Sequence, residues 1–524
     1  MHSFSRDFRH FPTLFIVLCL ALISCQTEAP RPNIIYIMSD DHTSQAWGIY
    51  GGVLQDYVQN THIQQLADEG MVLNNAFCTN SICTPSRGSV MTGQYSHMNG
   101  IYNLRNPLDP ARDNVAKQMQ QAGYQTALVG KWHLYAQPAG FDYFNVLPNQ
   151  GEYWNPKLKT ADIWEDGGKG GVEHKGFSTD VITDLSLDWL DNRDKEKPFY
   201  LMCHFKATHE PFDFPDRFKD LYKDVEIPEP ASLYDEGPET TNRTFGGQIL
   251  ERLGKRWETA SEKPDEWWTT YPELPFSTEG MEPKAARSKI YQKLVKDFMR
   301  SGAAIDDNIG KILRYLKDND LEENTVVIYC ADQGYFLGEH GFFDKRMIYE
   351  ESMRMPFVIR YPKEIQAGQR NDDIILNVDY PALFLDYAGV ERPDYMQGRS
   401  FRDNLKGATP EDWRTSMYYR YFAHDNIRPA HFGIRSQDHT LAFFYGRGLG
   451  LPGANSSPER ETDPAWEFFD LKKDPYQVNN VYGDPQYAET IQSLKNELLE
   501  KRKELKDMDE QYPEMQAILA EHWN

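Results

Sequence analysis

Two short apolar runs that each end in acidic side chains constrain the fold of this chain most. The runs cover residues 33–38 (NIIYIM) and 325–331 (TVVIYCA), and helical patterns separate them. Runs that are apolar on both faces are typical of strands buried inside a parallel sheet. The oxygen-bearing side chains that follow the two runs are Asp40, Asp41, Asp332 and Gln333. Because ligands collect beyond the carboxyl ends of such strands, these side chains are predicted to form one cluster.

Three carboxylates in one cluster need a cation to balance their charge. Ligation by oxygen alone favours a hard ion, Ca²⁺ with Mg²⁺ as the alternative, over zinc, which prefers His and Cys. Taken alone, the pair Asp40 and Asp41 would more often cap a helix than bind a metal. A second strand that also ends in oxygen-bearing side chains, at Asp332, favours a metal site over a helix cap.

Basic side chains follow two further runs that resemble strands. Residues 126–130 lead into Lys131 and His133, and residues 199–205 lead into His209. A single histidine near a strand end is usually a structural residue that forms hydrogen bonds. At the same sheet edge as the acidic cluster, however, a histidine can act as a general acid or base.

Composition and charge limit the class of protein. With 40% hydrophobic and 26% charged residues, the chain has the composition of a globular protein. Its 524 residues suggest two or three domains, or one large α/β domain with an appendage. Its net charge of -23 argues against nucleic-acid binding through a broad basic face. An anionic ligand must therefore meet a local positive site. The 6 cysteines are too few and too scattered for a disulfide scaffold.

The first 24 residues have the pattern of an export signal. Arg6 and Arg9 precede an apolar run over 11–23, which is short for a membrane span and typical of a signal peptide. The run leads into Ser24-Cys25, which resembles the lipobox of bacterial lipoproteins. We therefore expect lipidation of Cys25 and an exported protein in the periplasm or on the cell surface, held to the membrane by this lipid alone. An ordinary secretory leader cut nearby is the alternative.

The most specific pattern lies in residues 81–93, SICTPSRGSVMTG. Its C-x-P-x-R core runs from Cys83 to Arg87 and resembles the signature of the type I sulfatases. In that family a maturation enzyme oxidises the cysteine to formylglycine, whose hydrated aldehyde is the nucleophile. Hydrolysis of a sulfate ester requires a strong oxygen nucleophile, and the start of a helix offers amide groups to an anion. For Cys83 taken alone, a buried thiol or a disulfide with Cys78 is the alternative.

Other segments match the same family in order and context. They are Asp40-Asp41, Gly130-Lys131-Trp132-His133, Thr208-His209-Glu210-Pro211 and Asp332-Gln333-Gly334. Gln333 departs from the Asn or His of many relatives, but its amide oxygen can still bind a hard cation. Thr208 replaces the more frequent proline before His209.

The resemblance implies a role for each residue. The matured Cys83 would attack sulfur, and Arg87 would hold its side chain and offset the carboxylate charge. Lys131 and Lys345, the latter in a glycine-flanked stretch after the second acidic strand, would contact the sulfate oxygens. The implied ligands of one calcium ion are Asp40, Asp41, Asp332, Gln333 and the matured Cys83.

The two histidines have related roles in this scheme. His209 would be the general acid for the leaving sugar oxygen. His133 would take the proton of the second hydroxyl, so that the covalent sulfate leaves and the aldehyde returns. On sequence alone the two assignments are interchangeable.

The resemblance also implies a fold like that of the alkaline-phosphatase superfamily, an α/β domain with a mainly parallel central sheet flanked by helices. The predicted divisions are a signal peptide over 1–24, a catalytic domain over 31–400 and a smaller C-terminal domain over 401–524. In the last of these, alternating runs predict an antiparallel sheet, and the charged stretch 489–508 predicts a helix. Residues 228–283 show weak periodicity and predict a long surface insertion.

The predicted function is that of an exported carbohydrate sulfatase. The stretch 332–352 is similar to that of bacterial N-acetylglucosamine-6-sulfatases, but relatives that act on ulvan or carrageenan have similar segments. The substrate is therefore a sulfated polysaccharide or its oligosaccharides, of the ulvan or carrageenan type or of the glycosaminoglycan or mucin type. Trp154, Trp267 and Trp268 could stack on sugar rings or fill local cores. The alternatives are a phosphate or phosphonate ester hydrolase and an inactive, lipid-anchored glycan-binding protein.

Overall fold

The computed structural model describes residues 1–2, 31–164, 170–235, 248–263, 270–424, 428–450 and 461–523. Residues 3–24 of the predicted signal peptide lie outside the described residues, as do Cys25, Trp267 and Trp268. Within the described ranges, no helix combines the length and the apolar character that crossing a membrane requires.

Strands and helices alternate along the first three quarters of the chain. The strands of the described residues are β1 (Asn33–Asp40), β2 (Met71–Leu73), β3 (Ala76–Phe77), β4 (Gln125–Lys131), β5 (Tyr143–Leu147), β6 (Lys157–Leu158), β7 (Val172–Glu173), β8 (Phe199–Thr208), β9 (Thr325–Ala331), β10 (Phe336–Leu337), β11 (Phe343–Asp344), β12 (Arg354–Met355), β13 (Phe357–Arg360), β14 (Gln369–Asn371), β15 (Ile375–Leu376), β16 (Ser416–Tyr421), β17 (His431–Ser436), β18 (His439–Phe444) and β19 (Ala465–Asp470). The α-helices are α1 (Thr61–Asp68), α2 (Cys83–Thr92), α3 (Ser96–Asn99), α4 (Val115–Gln121), α5 (Ser178–Asn192), α6 (Leu250–Glu262), α7 (Pro283–Asp318), α8 (Glu350–Met353), α9 (Tyr380–Tyr387), α10 (Arg402–Leu405), α11 (Ala488–Glu504) and α12 (Pro513–His522).

A sheet of eight strands, in the order β14-β2-β13-β9-β1-β8-β4-β5, forms the centre of the molecule. Strand β1 runs parallel to both of its neighbours, β8 and β9, and β4 runs parallel to β8 and β5. Only β13 runs against its neighbours β9 and β2 among the described strands of this sheet. The predicted mixed, mainly parallel sheet is therefore confirmed.

Strand β1 is buried along its whole length because its side chains alternate between two apolar cores. Ile34 and Tyr36 pack on one face of the sheet, and Ile35 and Ile37 pack on the other. Helices α2, α4 and α9 contribute to the first core, and helices α1, α5 and α7 contribute to the second. Burial on both faces explains why the strand sequences read as continuous apolar runs.

The C-terminal region contains the predicted antiparallel sheet and helix. Strands β16 to β19 pair in sequence order, and α11 packs against them. The buried side chains of this sheet belong to the same apolar core as Ile34 and Tyr36 of β1. The predicted fold class is confirmed, whereas the division into domains at residue 400 stays a prediction.

The region 228–283 differs from the predicted irregular insertion, because part of it forms helix α6. Leu250, Leu253 and Trp257 are fully buried and pack with side chains of α7 in a third apolar cluster. Their spacing of three and four residues is helical, but it occupies a short window between irregular segments. The pattern was therefore too brief to stand out in the sequence.

Candidate active site

Four adjacent strands of the central sheet deliver the predicted site residues to one edge. Strand β1 ends at Asp40, β4 ends at Lys131, and Asp332 directly follows the end of β9. Strand β8 ends one residue before His209. These strands are neighbours in the order β9-β1-β8-β4, so the structure brings together the residues that the sequence placed on one edge.

The acidic cluster forms as predicted. Carboxylate oxygens of Asp40, Asp41 and Asp332 lie within 4.8 Å of one another, and all three side chains are buried. The backbone N–H of Asp41, a residue with a positive φ of 64°, donates to Asp332 Oδ1 over 3.0 Å. Burial raises the pKa of Asp41 to about 6, against the lowering effect of Lys345, because a buried carboxylate loses its hydration.

The donors of this cluster fit a hard divalent cation. Gln333 follows Asp332 and is fully buried; its Nε2 donates to Asp41 Oδ1, and its Oε1 has no hydrogen-bond partner among the described residues. A half-turn of the amide would direct Oε1 at the carboxylates, where a cation would satisfy it. Three carboxylates and one amide oxygen are the ligand types that Ca²⁺ and Mg²⁺ prefer.

Cys83 is the first residue of helix α2 and lies against the cluster. Its Sγ is 3.3 Å from Asp40 Oδ1 and 3.9 Å from Asp41 Oδ1. Burial raises the pKa of the Cys83 thiol to about 12, so the unmodified thiol is protonated at neutral pH and is a poor nucleophile. Cys78 and Cys83 are both free, which removes the disulfide alternative.

Arg87 lies one turn after Cys83 and fixes α2 to two strand ends. Its Nε donates to Asp332 Oδ2 over 2.9 Å, and its Nη1 donates to the carbonyl oxygen of Lys131 over 2.6 Å. The side chain is 2% exposed, which makes these charged hydrogen bonds strong. Arg87 therefore fixes the position of Cys83 relative to the carboxylates.

The two predicted lysines are ion-paired with the cluster. Lys131 Nζ contacts Asp40 Oδ2 and the side chain of Gln150, and Lys345 Nζ contacts both carboxylate oxygens of Asp41. Burial alone would lower the pKa of Lys345. The attraction of the Asp41 carboxylate is larger than this effect, so the pKa of Lys345 is raised. Burial lowers the pKa of Lys131 well below its usual value. Both lysines place their nitrogen at the carboxylates that Cys83 Sγ approaches.

The His209 ring lies close to Cys83 and the carboxylates. One of its ring nitrogens lies within 4.8 Å of Cys83 Sγ and of an Asp40 oxygen, and its Nε2 lies 3.8 Å from Asp41 Oδ2. Its Nδ1 donates to the carbonyl oxygen of Glu210 over 2.7 Å, which leaves Nε2 directed at the cluster. Burial lowers the pKa of His209, and nearby ammonium groups lower it further.

His133 contacts the Cys83 segment through its backbone. The hydroxyl of Thr84, the residue after Cys83, donates to the carbonyl oxygen of His133 over 3.0 Å. The ring Nε2 lies 3.4 Å from the hydroxyl of Tyr135, and its Nδ1 has no partner among the described residues. The side chain is buried and has a free ring nitrogen, as a proton-accepting group requires.

Several residues that support the site carried no signal in the sequence. Tyr153 donates to the carbonyl oxygen of His209 over 2.6 Å, and Arg256 of helix α6 pairs with Glu210 over 2.7 Å. Tyr419 of β16 donates to the carbonyl oxygen of Arg346 over 2.6 Å. These contacts join residues far apart in the chain, so no local spacing could reveal them.

The hydroxyl of Tyr419 also accepts a hydrogen bond from the backbone N–H of Ser81 over 3.2 Å. Ser81 lies two residues before Cys83, and Arg346 directly follows Lys345. One side chain of the C-terminal sheet therefore joins the segments that present Cys83 and Lys345.

Comparisons with known proteins agree with this geometry. The family model described as Sulfatase matches residues 32–390. The chain belongs to the sulfatase family. A second model, described as N-sulphoglucosamine sulphohydrolase, C-terminal, matches residues 338–504 of this sulfatase.

Individual relatives resemble this sulfatase over nearly their whole length. It is 38% identical to the N-acetylglucosamine-6-O-sulfatase of Bacteroides thetaiotaomicron, over 95% of this chain and 92% of that protein. It is 25% identical to the ulvan-active sulfatase of Formosa agariphila, over 94% and 87% of the two chains. A solved structure in complex with its substrate D-glucosamine-2-N,6-O-disulfate matches with a TM-score of 0.81 and 36% identity, over 91% of this chain and 99% of that one. The prediction of a sulfuric ester hydrolase is confirmed, while the roles of the individual site residues stay predictions.

Proposed function

We propose that this sulfatase removes sulfate from a sulfated saccharide, with 6-O-sulfated N-acetylglucosamine or glucosamine as its substrate. The similarity to the N-acetylglucosamine-6-O-sulfatase of Bacteroides thetaiotaomicron, over 95% of this chain, carries this proposal. The substrate named for the solved relative, D-glucosamine-2-N,6-O-disulfate, supports the same sugar and sulfate position. Sulfated polysaccharides of the ulvan or carrageenan type are the alternative substrates.

Cys83 in its formylglycine form is the proposed nucleophile. Because burial raises the pKa of the Cys83 thiol, the unmodified residue is a poor thiolate nucleophile at neutral pH. The hydrated aldehyde of formylglycine supplies an oxygen nucleophile at the same position. A maturation enzyme that generates formylglycine is therefore a required partner.

The proposed ligands of one cation, Ca²⁺ or Mg²⁺, are Asp40, Asp41, Asp332, Gln333 and the matured Cys83. When bound by these residues, a divalent ion would supply positive charge that stabilises a developing negative charge. Arg87 balances the carboxylates, since its guanidinium contacts Asp332 over 2.9 Å. Lys131 and Lys345 stabilise the sulfate oxygens in the transition state.

Substituting Lys131 or Lys345 by methionine is expected to lower kcat/KM about 10²- to 10³-fold, because each loses one charged donor to the sulfate oxygens. Steady-state kinetics on an aryl sulfate and on the sugar sulfate would measure this loss. A decrease of less than tenfold for both variants would contradict the proposed role, provided that the melting temperatures match that of the wild type.

The two histidines are distinguished by the leaving group. A general acid matters most when the leaving oxygen is basic, so His209→Ala is expected to slow release from a sugar sulfate by about 10²- to 10⁴-fold and release from a nitrophenyl sulfate much less. His133→Ala is expected to slow both reactions equally, because its role follows departure of the leaving group. The reverse pattern would exchange the two assignments.

Export and lipid attachment at Cys25 are part of the proposal. The signal pattern over 1–24 and the Ser24-Cys25 junction support a lipid-anchored protein in the periplasm or on the cell surface. Incorporation of a labelled fatty acid by the wild type, and not by Cys25→Ala, would test the anchor. Labelling of both forms or of neither would contradict it.

The first experiment has two parts. The protein is expressed with a formylglycine-generating enzyme, and the mass of the peptide that contains Cys83 is measured. Sulfate release by the same protein is then measured. A mass loss of about 18 Da is expected from conversion of the thiol to an aldehyde. Purified protein should then release sulfate from N-acetylglucosamine-6-sulfate faster than from ulvan or carrageenan oligosaccharides. Faster cleavage of the matching phosphate or phosphonate ester would favour the alternative hydrolase. An unmodified thiol together with glycan binding would favour the inactive binding protein.

A further inference from the structure

A third lysine, Lys206 of strand β8, lies three residues before His209 at the same edge of the sheet, and the sequence analysis did not single it out. Its side chain is 3% exposed. Unlike Lys131 and Lys345, it forms no salt bridge with any residue that the structure describes. Its Nζ instead lies 4.7 Å from the centre of the Tyr153 ring. A buried ammonium group without an anionic partner is energetically costly, so its position requires an explanation.

The surroundings of Lys206 connect it to the reacting groups. The Tyr153 ring that contacts Lys206 carries the hydroxyl that donates to the carbonyl oxygen of His209. Burial lowers the pKa of Lys206 to about 8, and the charges of Asp41 and Cys83 oppose this most. Lys206 also lowers the pKa of the partly buried His209, together with Lys131 and Lys345. The ammonium therefore lies within electrostatic reach of the residues that would contact the substrate.

The charge balance of the pocket favours an anion as the missing partner. Each of the three carboxylates of the cluster already has a cationic partner: Asp40 pairs with Lys131, Asp41 with Lys345 and Asp332 with Arg87. No carboxylate of the cluster is therefore left to pair with Lys206. A sulfated substrate brings a negative group that this ammonium could bind.

We propose that Lys206 is a further substrate-binding residue, whose ammonium binds an oxyanion of the sulfated sugar. The oxyanion is either a non-bridging oxygen of the sulfate that is removed or a second sulfate on the same sugar. This inference rests on the proposed function, because it assigns the ligand of the same site. The Tyr153 ring holds the ammonium in place without neutralising it, which keeps its charge for the substrate.

The test compares Lys206→Met with a matched buried lysine. Lys495 is also 3% exposed and lies 4.6 Å from the Trp466 ring, but it belongs to helix α11 of the C-terminal region. Lys206→Met is expected to raise KM about 10- to 100-fold, the effect of losing a hydrogen bond between charged groups. Lys206→Arg should restore most of the affinity because it keeps the charge, and Lys495→Met should leave KM unchanged.

Two substrates separate the two sources of the oxyanion. An equal rise in KM on N-acetylglucosamine-6-sulfate and on D-glucosamine-2-N,6-O-disulfate would assign Lys206 to the sulfate that is removed. A rise on the disulfated sugar alone would assign it to the second sulfate. Unchanged KM values on both sugars would overturn the inference, as would failure of Lys206→Arg to restore them.

Binding of inorganic sulfate keeps this test independent of the proposed function. Sulfate should raise the melting temperature of the wild type and of Lys495→Met, and the rise should be smaller for Lys206→Met. If the wild type binds sulfate but cleaves neither sugar, the proposed substrate is wrong. The role of Lys206 is then still tested by the rise in melting temperature that sulfate causes. If sulfate raises the melting temperature of Lys206→Met as much as that of the wild type, Lys206 does not bind the sulfate that is removed. Lys206→Gln provides a second neutral variant if the methionine variant does not fold.

Discussion

Substitution of Cys83 by alanine is expected to reduce kcat on a sulfate ester about 10⁶-fold, as removal of a catalytic nucleophile does in other hydrolases. Cys83 Sγ lies 3.3 Å from Asp40 Oδ1 and within 4.8 Å of a ring nitrogen of His209, so the reacting atom belongs at this position. The side chain is 1% exposed, and no other free cysteine of the described residues contacts the carboxylates. Kinetics on protein coexpressed with the maturation enzyme would measure the loss.

Cys78 provides the matched control for this variant. It is a free, fully buried cysteine five residues earlier in the chain. Cys78→Ala should keep kcat within a few-fold of the wild type, although its melting temperature should fall because a buried side chain becomes smaller. Retention of more than 1% of wild-type activity by Cys83→Ala would show that Cys83 does not supply the nucleophile.

Removal of divalent cations is expected to have the second largest effect. A chelator should lower kcat/KM about 10³-fold or more, because a bound cation contributes several kcal/mol of transition-state stabilisation. Added Ca²⁺ or Mg²⁺ should restore the rate and raise the melting temperature, since it relieves the repulsion among Asp40, Asp41 and Asp332. Full activity after exhaustive chelation, with no cation left by elemental analysis, would refute the metal site.

Asp332→Asn tests the same site from the protein side. It should lose activity and also lose the rise in melting temperature with Ca²⁺, because one charged ligand is gone. Asp297→Asn is the control, since Asp297 is equally buried and pairs with Lys293 over 2.7 Å outside the cluster. Calcium-dependent stabilisation that persists in Asp332→Asn and disappears in Asp297→Asn would show that the cation binds elsewhere.

The sequence predicted the parts of the site that depend on local patterns. Asp40 and Asp332 each follow a strand that is apolar on both faces, and parallel strands of one sheet end at one edge. The C-x-P-x-R spacing likewise brings Cys83 and Arg87 to the same helix, one turn apart. Pairing order and strand direction then sufficed to place these side chains in one cluster.

Contacts between distant segments escaped this reasoning. Lys206 lies in an apolar strand whose sequence gives no sign that its ammonium faces the pocket. Gln150 contacts Lys131 from an irregular loop, and Arg256 reaches Glu210 from a helix that the sequence did not predict. Each depends on how loops and helices pack on the sheet, which residue spacing does not encode.

The hydrogen bonds of Tyr419 have a consequence for the order of events during synthesis. Its partner Ser81 is 338 residues earlier in the chain, so the Cys83 segment is complete only after the last fifth of the protein has begun to emerge from the ribosome. Until then Ser81, two residues before Cys83, lacks its link to the segment that presents Lys345. During the long interval between synthesis of Ser81 and of Tyr419, this link therefore cannot hold the Cys83 segment in its folded position.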